Sequence, residues 1–127
     1  MPAAARTQQE VLSVGPLEVV PDEHLAFVAG RALTLSIREL RLLTELARRA
    51  NRITPRHELF RLVWGREMRR GDRSVDVYVR KLRVKLEAAL PDWQFIHTHF
   101  ALGYRLSPEP PPDADPATDV NRPFTGS

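Results

Sequence analysis

Arg73-Ser74-Val75-Asp76-Val77-Tyr78-Val79-Arg80-Lys81-Leu82-Arg83-Val84-Lys85-Leu86 is the stretch that decides how this chain folds. Val75, Val79, Leu82 and Leu86 recur at i, i+4, i+7 and i+11, one apolar stripe at helical period. The other side holds Val77, Arg80, Lys81, Val84 and Lys85, with Tyr78 at the edge. The spacing therefore predicts a helix with one buried face and one cationic face, the latter carrying two small apolar groups. Such a helix fits the major groove of B-DNA. Arginine and lysine donate there to guanine O6 and N7, and apolar groups meet a thymine methyl. A solvated basic face on an ordinary core helix is the plainer alternative.

Charge around this stretch is uneven. Residues 52–86 hold eleven Arg and Lys against four Asp and Glu. Residues 1–51 hold six of each, and residues 87–127 hold two cations against six acids. A cationic block between neutral and acidic flanks is a local field whose natural partner is a polyanion. Arginine supplies 17 of the 19 cations, which suits bidentate phosphate and base contacts but equally reflects a GC-rich genome.

Upstream, Thr54-Pro55 opens a helix, with threonine expected as N-cap and proline at the first helical position. Leu59, Leu62 and Val63 form its apolar face, and Val63-Trp64-Gly65 ends it. Arg56 lies at the N-terminal end, where free N–H groups and the helix dipole accept a phosphate; a plain capped helix is the alternative. Gly65–Arg73 is a polar loop, either a connector or, through Met68, a protein contact. Further back, Ser36-Ile37-Arg38-Glu39 is a capping box. Leu40, Leu42, Leu43, Leu46 and Ala47 follow it in a helix expected to run to about Ala50, closed by Asn51. Val11–Val14, Leu17–Val20, Leu25–Val28 and Ala32–Leu35 are short apolar pieces separated by turns, a small antiparallel sheet serving as scaffold or as a self-association surface.

Downstream, Pro91-Asp92 stops the long helix near Ala89. Trp93–His99 is a predicted strand, Phe100–Gly103 a turn and Tyr104–Leu106 the return strand, making a β-hairpin wing. Ser107–Ser127 holds six of the eleven prolines and several acids, so a disordered acidic tail is expected over 108–127. Residues 1–10 are expected to be disordered as well. That leaves 11–107 as one domain, consistent with 127 residues at 43% hydrophobic content.

Taken together, Leu35-Ser36-x-x-Glu39-Leu40, Val63-Trp64-Gly65, the Arg73–Leu86 stretch and Gly103-Tyr104-Arg105 resemble the DNA-binding effector domain of OmpR/PhoB-type response regulators, over roughly residues 12–107. The resemblance implies an α+β winged helix-turn-helix: a four-stranded N-terminal antiparallel sheet, three helices and a C-terminal hairpin wing. It implies Arg80 and Lys81 as groove-facing, with Lys81 the best base-reading candidate; helical period puts Val77, a further expected DNA contact, on the same face. Arg73, Tyr78, Arg83, Trp64 and Tyr104 match phosphate-contacting positions, and Thr98 matches a wing position that touches backbone. It further implies double-stranded promoter DNA as partner, head-to-tail homodimers on it, and an RNA polymerase contact through residues 65–72.

Two features depart from that pattern. The family commonly has Arg-Gly in the wing, where this chain has Phe100-Ala101. The wing thus lacks the cation that a narrow minor groove attracts, and Phe100 packs on a sugar, wedges at a base step or covers the hairpin. No receiver domain precedes the matched segment; the Met1 start and acidic tail favour a standalone protein over a piece of a longer one. No other chemistry is expected. His97 and His99 share a strand face without further ligands, cysteine is absent, and no phosphate loop occurs. The expectation is a bacterial, cytoplasmic, nucleoid-associated transcription regulator without cofactor, metal or enzyme activity. The alternatives are an architectural DNA binder with low sequence preference and a module that contacts RNA polymerase.

Overall fold

The computed structural model describes residues 9–112. Of the termini expected to be disordered, 1–10 and 108–127, residues 1–8 and 113–127 lie outside the described residues. Four short strands come first: β1 (Leu12–Val14), β2 (Leu17–Val20), β3 (Leu25–Val28) and β4 (Arg31–Ala32). They form one antiparallel sheet in chain order, with Leu12 opposite Val19, Leu17 opposite Val28, and Phe27 opposite Ala32. Alternation does the sorting: Leu17 and Val19 of β2 are buried while Glu18 is exposed. The fourth strand is shorter than the expected Ala32–Leu35. It pairs only through Arg31 and Ala32, and Leu33 and Leu35 turn to pack against the core instead.

Helix α1 (Ile37–Arg48) begins at the capping box, with Glu39 N donating to Ser36 Oγ at 3.1 Å and Ser36 N to Glu39 Oε1 at 2.8 Å. It ends two residues before the expected Ala50; Asn51, left-handed at φ 68°, follows a turn and donates its N–H to Leu106 O. Leu42, Leu43 and Leu46 are at most 1% exposed, so α1 is the helix around which the rest packs.

Helix α2 (Arg56–Trp64) is not capped by Thr54. Pro55 holds the N-cap position without a side-chain bond. Thr54 exchanges both backbone hydrogen bonds with Tyr104, at 2.8 and 3.0 Å, and joins the wing as a third, one-residue strand. Its hydroxyl is buried with no hydrogen-bond partner among the described residues. Tertiary pairing has overridden the local capping preference.

Helix α3 (Ser74–Ala89) runs as expected. Val75, Val79, Leu82 and Leu86 are all 1% exposed or less, contributing roughly 1.5–3 kcal/mol apiece by burial. The wing is β5 (Gln94–His99) and β6 (Gly103–Glu109), antiparallel with Thr98 opposite Tyr104. The return strand extends past the expected Leu106. Glu109 pairs with Gln94, His97 Nε2 meets Ser107 O at 2.8 Å, and Pro108 lies against Gly15. The start of the expected tail is thus part of the hairpin. Sheet, three helices and wing make a winged helix-turn-helix whose α3 lies across α1 and α2.

Candidate nucleic-acid interface

With its apolar stripe inward, α3 turns Val77, Arg80, Lys81 and Val84 to solvent, the two valines at 47% and 64% exposure. Arg80 makes no ion pair among the described residues. Lys81 Nζ sits 4.7 Å from the Tyr78 ring centroid, a cation–π contact that steers the ammonium without neutralising it. Lys85 is the exception on this face. Its Nζ donates to Glu39 Oε1 and Thr34 O, both at 2.7 Å, and so ties α3 to the start of α1. The sequence placed it in the groove-facing set; the buried Glu39 carboxylate recruits it away. Burial alone would raise that carboxyl, but the Lys85 hydrogen bond and the Ser36 N–H outweigh it and hold Glu39 below its ordinary value.

The start of α3 is fixed by Asp72, whose Oδ1 accepts from Ser74 N at 2.8 Å. One turn in, Asp76 is the hub of the interface and was not singled out by the sequence. Its carboxylate receives the Tyr104 hydroxyl from the wing, Arg56 Nε from α2 at 2.7 Å, and Arg73 Nε at 3.1 Å. Burial would raise this carboxyl; the Tyr104 hydrogen bond, the Arg56 hydrogen bond and the nearby positive charges outweigh it and keep the aspartate below its ordinary range. Tyr104 is pushed the other way, upward, by burial first and then by its hydrogen bond to Asp76 and that carboxylate's charge. The only sequence signal for Asp76 was an acid in the first turn three residues from an arginine, which reads as a dipole partner.

The expected phosphate contacts therefore separate. Arg73, its side chain 78% exposed, stands outward. Arg56 is half-buried, stacked 4.9 Å over the Tyr104 ring with its Nε committed to Asp76. Tyr104 is 4% exposed with its hydroxyl donated to Asp76, at the point where the wing closes on α2 and α3. Trp64 stacks on Phe60 at 4.8 Å and meets Tyr78 edge-on at 5.5 Å, half-buried, with Arg38 over its ring. Arg83 reaches across to the wing. Its Nη2 donates to Thr98 Oγ1 at 2.6 Å and to Ile96 O at 2.8 Å. Phe100 is 92% exposed at the wing tip and does not cover the hairpin. Met68, expected to be exposed in the loop, packs against the core.

The two histidines are each engaged within the hairpin, His97 with Ser107 O and His99 with Arg105 Nε at 2.9 Å. Among the described residues, no three His, Asp or Glu side chains gather as a metal site, and no helix is long and apolar enough to cross a membrane.

Residues 30–106 match the family model described as "Transcriptional regulatory protein, C terminal". The sensory transduction protein RegX3 of Mycobacterium leprae is 36% identical over 96 residues, 76% of this chain and 48% of that protein. The transcriptional regulatory protein AfsQ1 of Streptomyces coelicolor is 42% identical over 103 residues, 81% of this chain and 46% of that protein. The chain thus spans about half the length of these curated relatives. Among solved structures, the DNA-binding domain of CpxR from E. coli aligns with TM-score 0.70 and 26% identity, over 77% of this chain and 96% of that one. The Klebsiella pneumoniae RstA DNA-binding domain in complex with the RstA box aligns at 0.69 and 31%, over 77% and 97%. With its fold, its cationic third helix and its matched residues 30–106, this chain belongs to the C-terminal domain family of transcriptional regulatory proteins of OmpR/PhoB type.

Proposed function

We propose that this domain is a sequence-specific double-stranded DNA-binding transcription regulator that lays α3 in the major groove and its wing near the minor groove. The observation that carries it is the outward face of α3: Val77, Arg80, Lys81 and Val84 stand free while every residue of the opposing stripe is buried. The similarity to the RstA domain solved with its DNA box supports the same assignment. Lys81 and Arg80 donate to base edges, and Val77 and Val84 meet thymine methyls. Arg73, Arg56, Trp64, Tyr78 and Arg83 line the phosphates on either side; from the wing Thr98 meets the backbone and Phe100 the minor-groove side. Tyr104 acts through Asp76, holding Arg56 and Arg73 in place.

Competition binding of selected against random duplex tests the proposal. Specific binding predicts a large ratio, and Lys81→Ala should lose about 1–3 kcal/mol on the selected site while relaxing one base step. A ratio near one favours an architectural binder with low sequence preference. Equal losses on both duplexes remove Lys81 as a base reader.

Pairing of two copies on DNA and a contact with RNA polymerase through residues 65–72 belong to the same proposal. The loop presents Arg66, Arg69 and Arg70 to solvent, so the surface it meets on polymerase is acidic. A footprint with a single protected half-site argues against pairing. Reconstituted transcription unchanged by neutralising these three arginines argues against the polymerase contact.

A further inference from the structure

The wing tip of this chain is apolar and braced. Phe100 is 92% exposed and Leu102 60%, and Ala101 between them adds no polar group. Leu102 N donates to His99 O at 2.8 Å, closing a tight turn in which Ala101 takes the left-handed backbone at φ 67°. Behind the turn, His99 Nε2 accepts from Arg105 Nε at 2.9 Å, and Thr98 Oγ1 accepts from Arg83 Nη2 at 2.6 Å. A strand rises about 3.3 Å per residue, so Phe100 projects roughly 7 Å beyond the last residue anchored to α3. The guanidinium nearest the tip, Arg105, is turned onto His99. The result is a greasy point with a cationic collar of Arg83 and Arg105 at its base.

That combination complements one kind of partner. A duplex has a polyanionic rim and an apolar stacked interior, and Arg83 ties the base of the tip to α3, whose outward face is cationic. We propose that Phe100, backed by Leu102, is a wedge that enters the minor groove of bound DNA and partly unstacks one base step outside the segment read by α3. This deepens the DNA-binding proposal and rests on it. Pyrimidine–purine steps, TA and CA/TG, open at least cost, so the wedge adds specificity at a step where no hydrogen bond is read and bends the duplex toward the major groove. An arginine at the same place would favour the narrow groove of an A-tract instead.

Site selection from a random duplex pool, run in parallel on the whole chain and on Phe100→Ala and Phe100→Arg, tests this. The unaltered chain should enrich a pyrimidine–purine step at a fixed distance from the bases read by α3. Phe100→Ala should keep those bases, lose the step and bind roughly tenfold more weakly. Phe100→Arg should exchange the step for an A-tract. A 2-aminopurine placed at the step should brighten with the unaltered chain and stay quenched with Phe100→Ala. If Phe100→Ala selects the same step with equal affinity, the wedge is wrong and the DNA-binding proposal stands. If Phe100→Ala instead dissociates a dimer while DNA selection is unchanged, the tip is a contact between copies and the wedge is again overturned. If the unaltered chain enriches nothing, both proposals fall.

Discussion

At Gly103 the wing touches the entrance to α2 so closely that no side chain fits. A methyl group built there would overlap the Thr54 carbonyl and lie 2.8 Å from Pro55 Cα, and the backbone stands at φ 148°. Both neighbours are main chain and cannot swing aside. Gly103→Ala should therefore cost about 3 kcal/mol or more, read as a drop in the urea midpoint, because overpacking and backbone strain add. Thr54, on the other side of the same contact, should respond in the opposite sense. Its buried hydroxyl has no partner, so Thr54→Val removes an unsatisfied group at similar volume and should be neutral or stabilising by up to about 1 kcal/mol. A loss of stability in Thr54→Val would mean that the hydroxyl is satisfied in solution. None of this was legible in the sequence. Thr54-Pro55 looks like a helix start, and only the strand partner, fifty residues away in the chain, shows what the threonine does.

Among the elements, α3 was the most legible, since its stripe and its outward face both follow from a 3.6-residue period. Helix α1 was legible for a related reason: a capping box satisfies its own bonds within four residues. What periodicity cannot supply is which outward cation is already spent. Lys85 and Arg83 both fall off the buried stripe, yet one is bound to Glu39 and the other to the wing. Arg83 pins β5 through Ile96 O and Thr98 Oγ1, and in the DNA-binding proposal it also lines the phosphates. Arg83→Ala should weaken binding to selected and random duplex nearly alike and reduce the salt slope by about 1. It should also raise amide exchange in residues 96–99, an effect that loss of a purely phosphate-binding side chain would not produce.

For the whole molecule, one buried and one half-buried carboxylate, Glu39 and Asp76, set the acid limit of stability. Asp76 and Glu39 are both held below their ordinary values of 3.8 and 4.5. A carboxyl depressed in the folded state contributes stability that is complete above its unfolded value and is lost as pH falls through the folded one. Unfolding midpoints should thus be nearly flat from neutral pH to about 5 and fall steeply below about 4. Asp76→Asn should be less stable at pH 7 and show a shallower acid limb. An acid limb as steep as that of the unaltered chain would remove Asp76 from this role. At this scale composition put the C-terminal edge of the domain at residue 107, and the last strand runs on to Glu109 because its pairing with Gln94 is not visible in composition.

From α3, the Asp76 carboxylate clasps Arg56 of α2, Tyr104 of the wing and Arg73 just ahead of its own helix, and Gly103 locks the wing to the entrance of α2 by direct backbone apposition. Three parts fastened at one point move as one casting. A variant of this chain selected for a new DNA preference should therefore carry its substitutions on the tips that project from the casting. Re-aiming one part against another would mean breaking the clasp first.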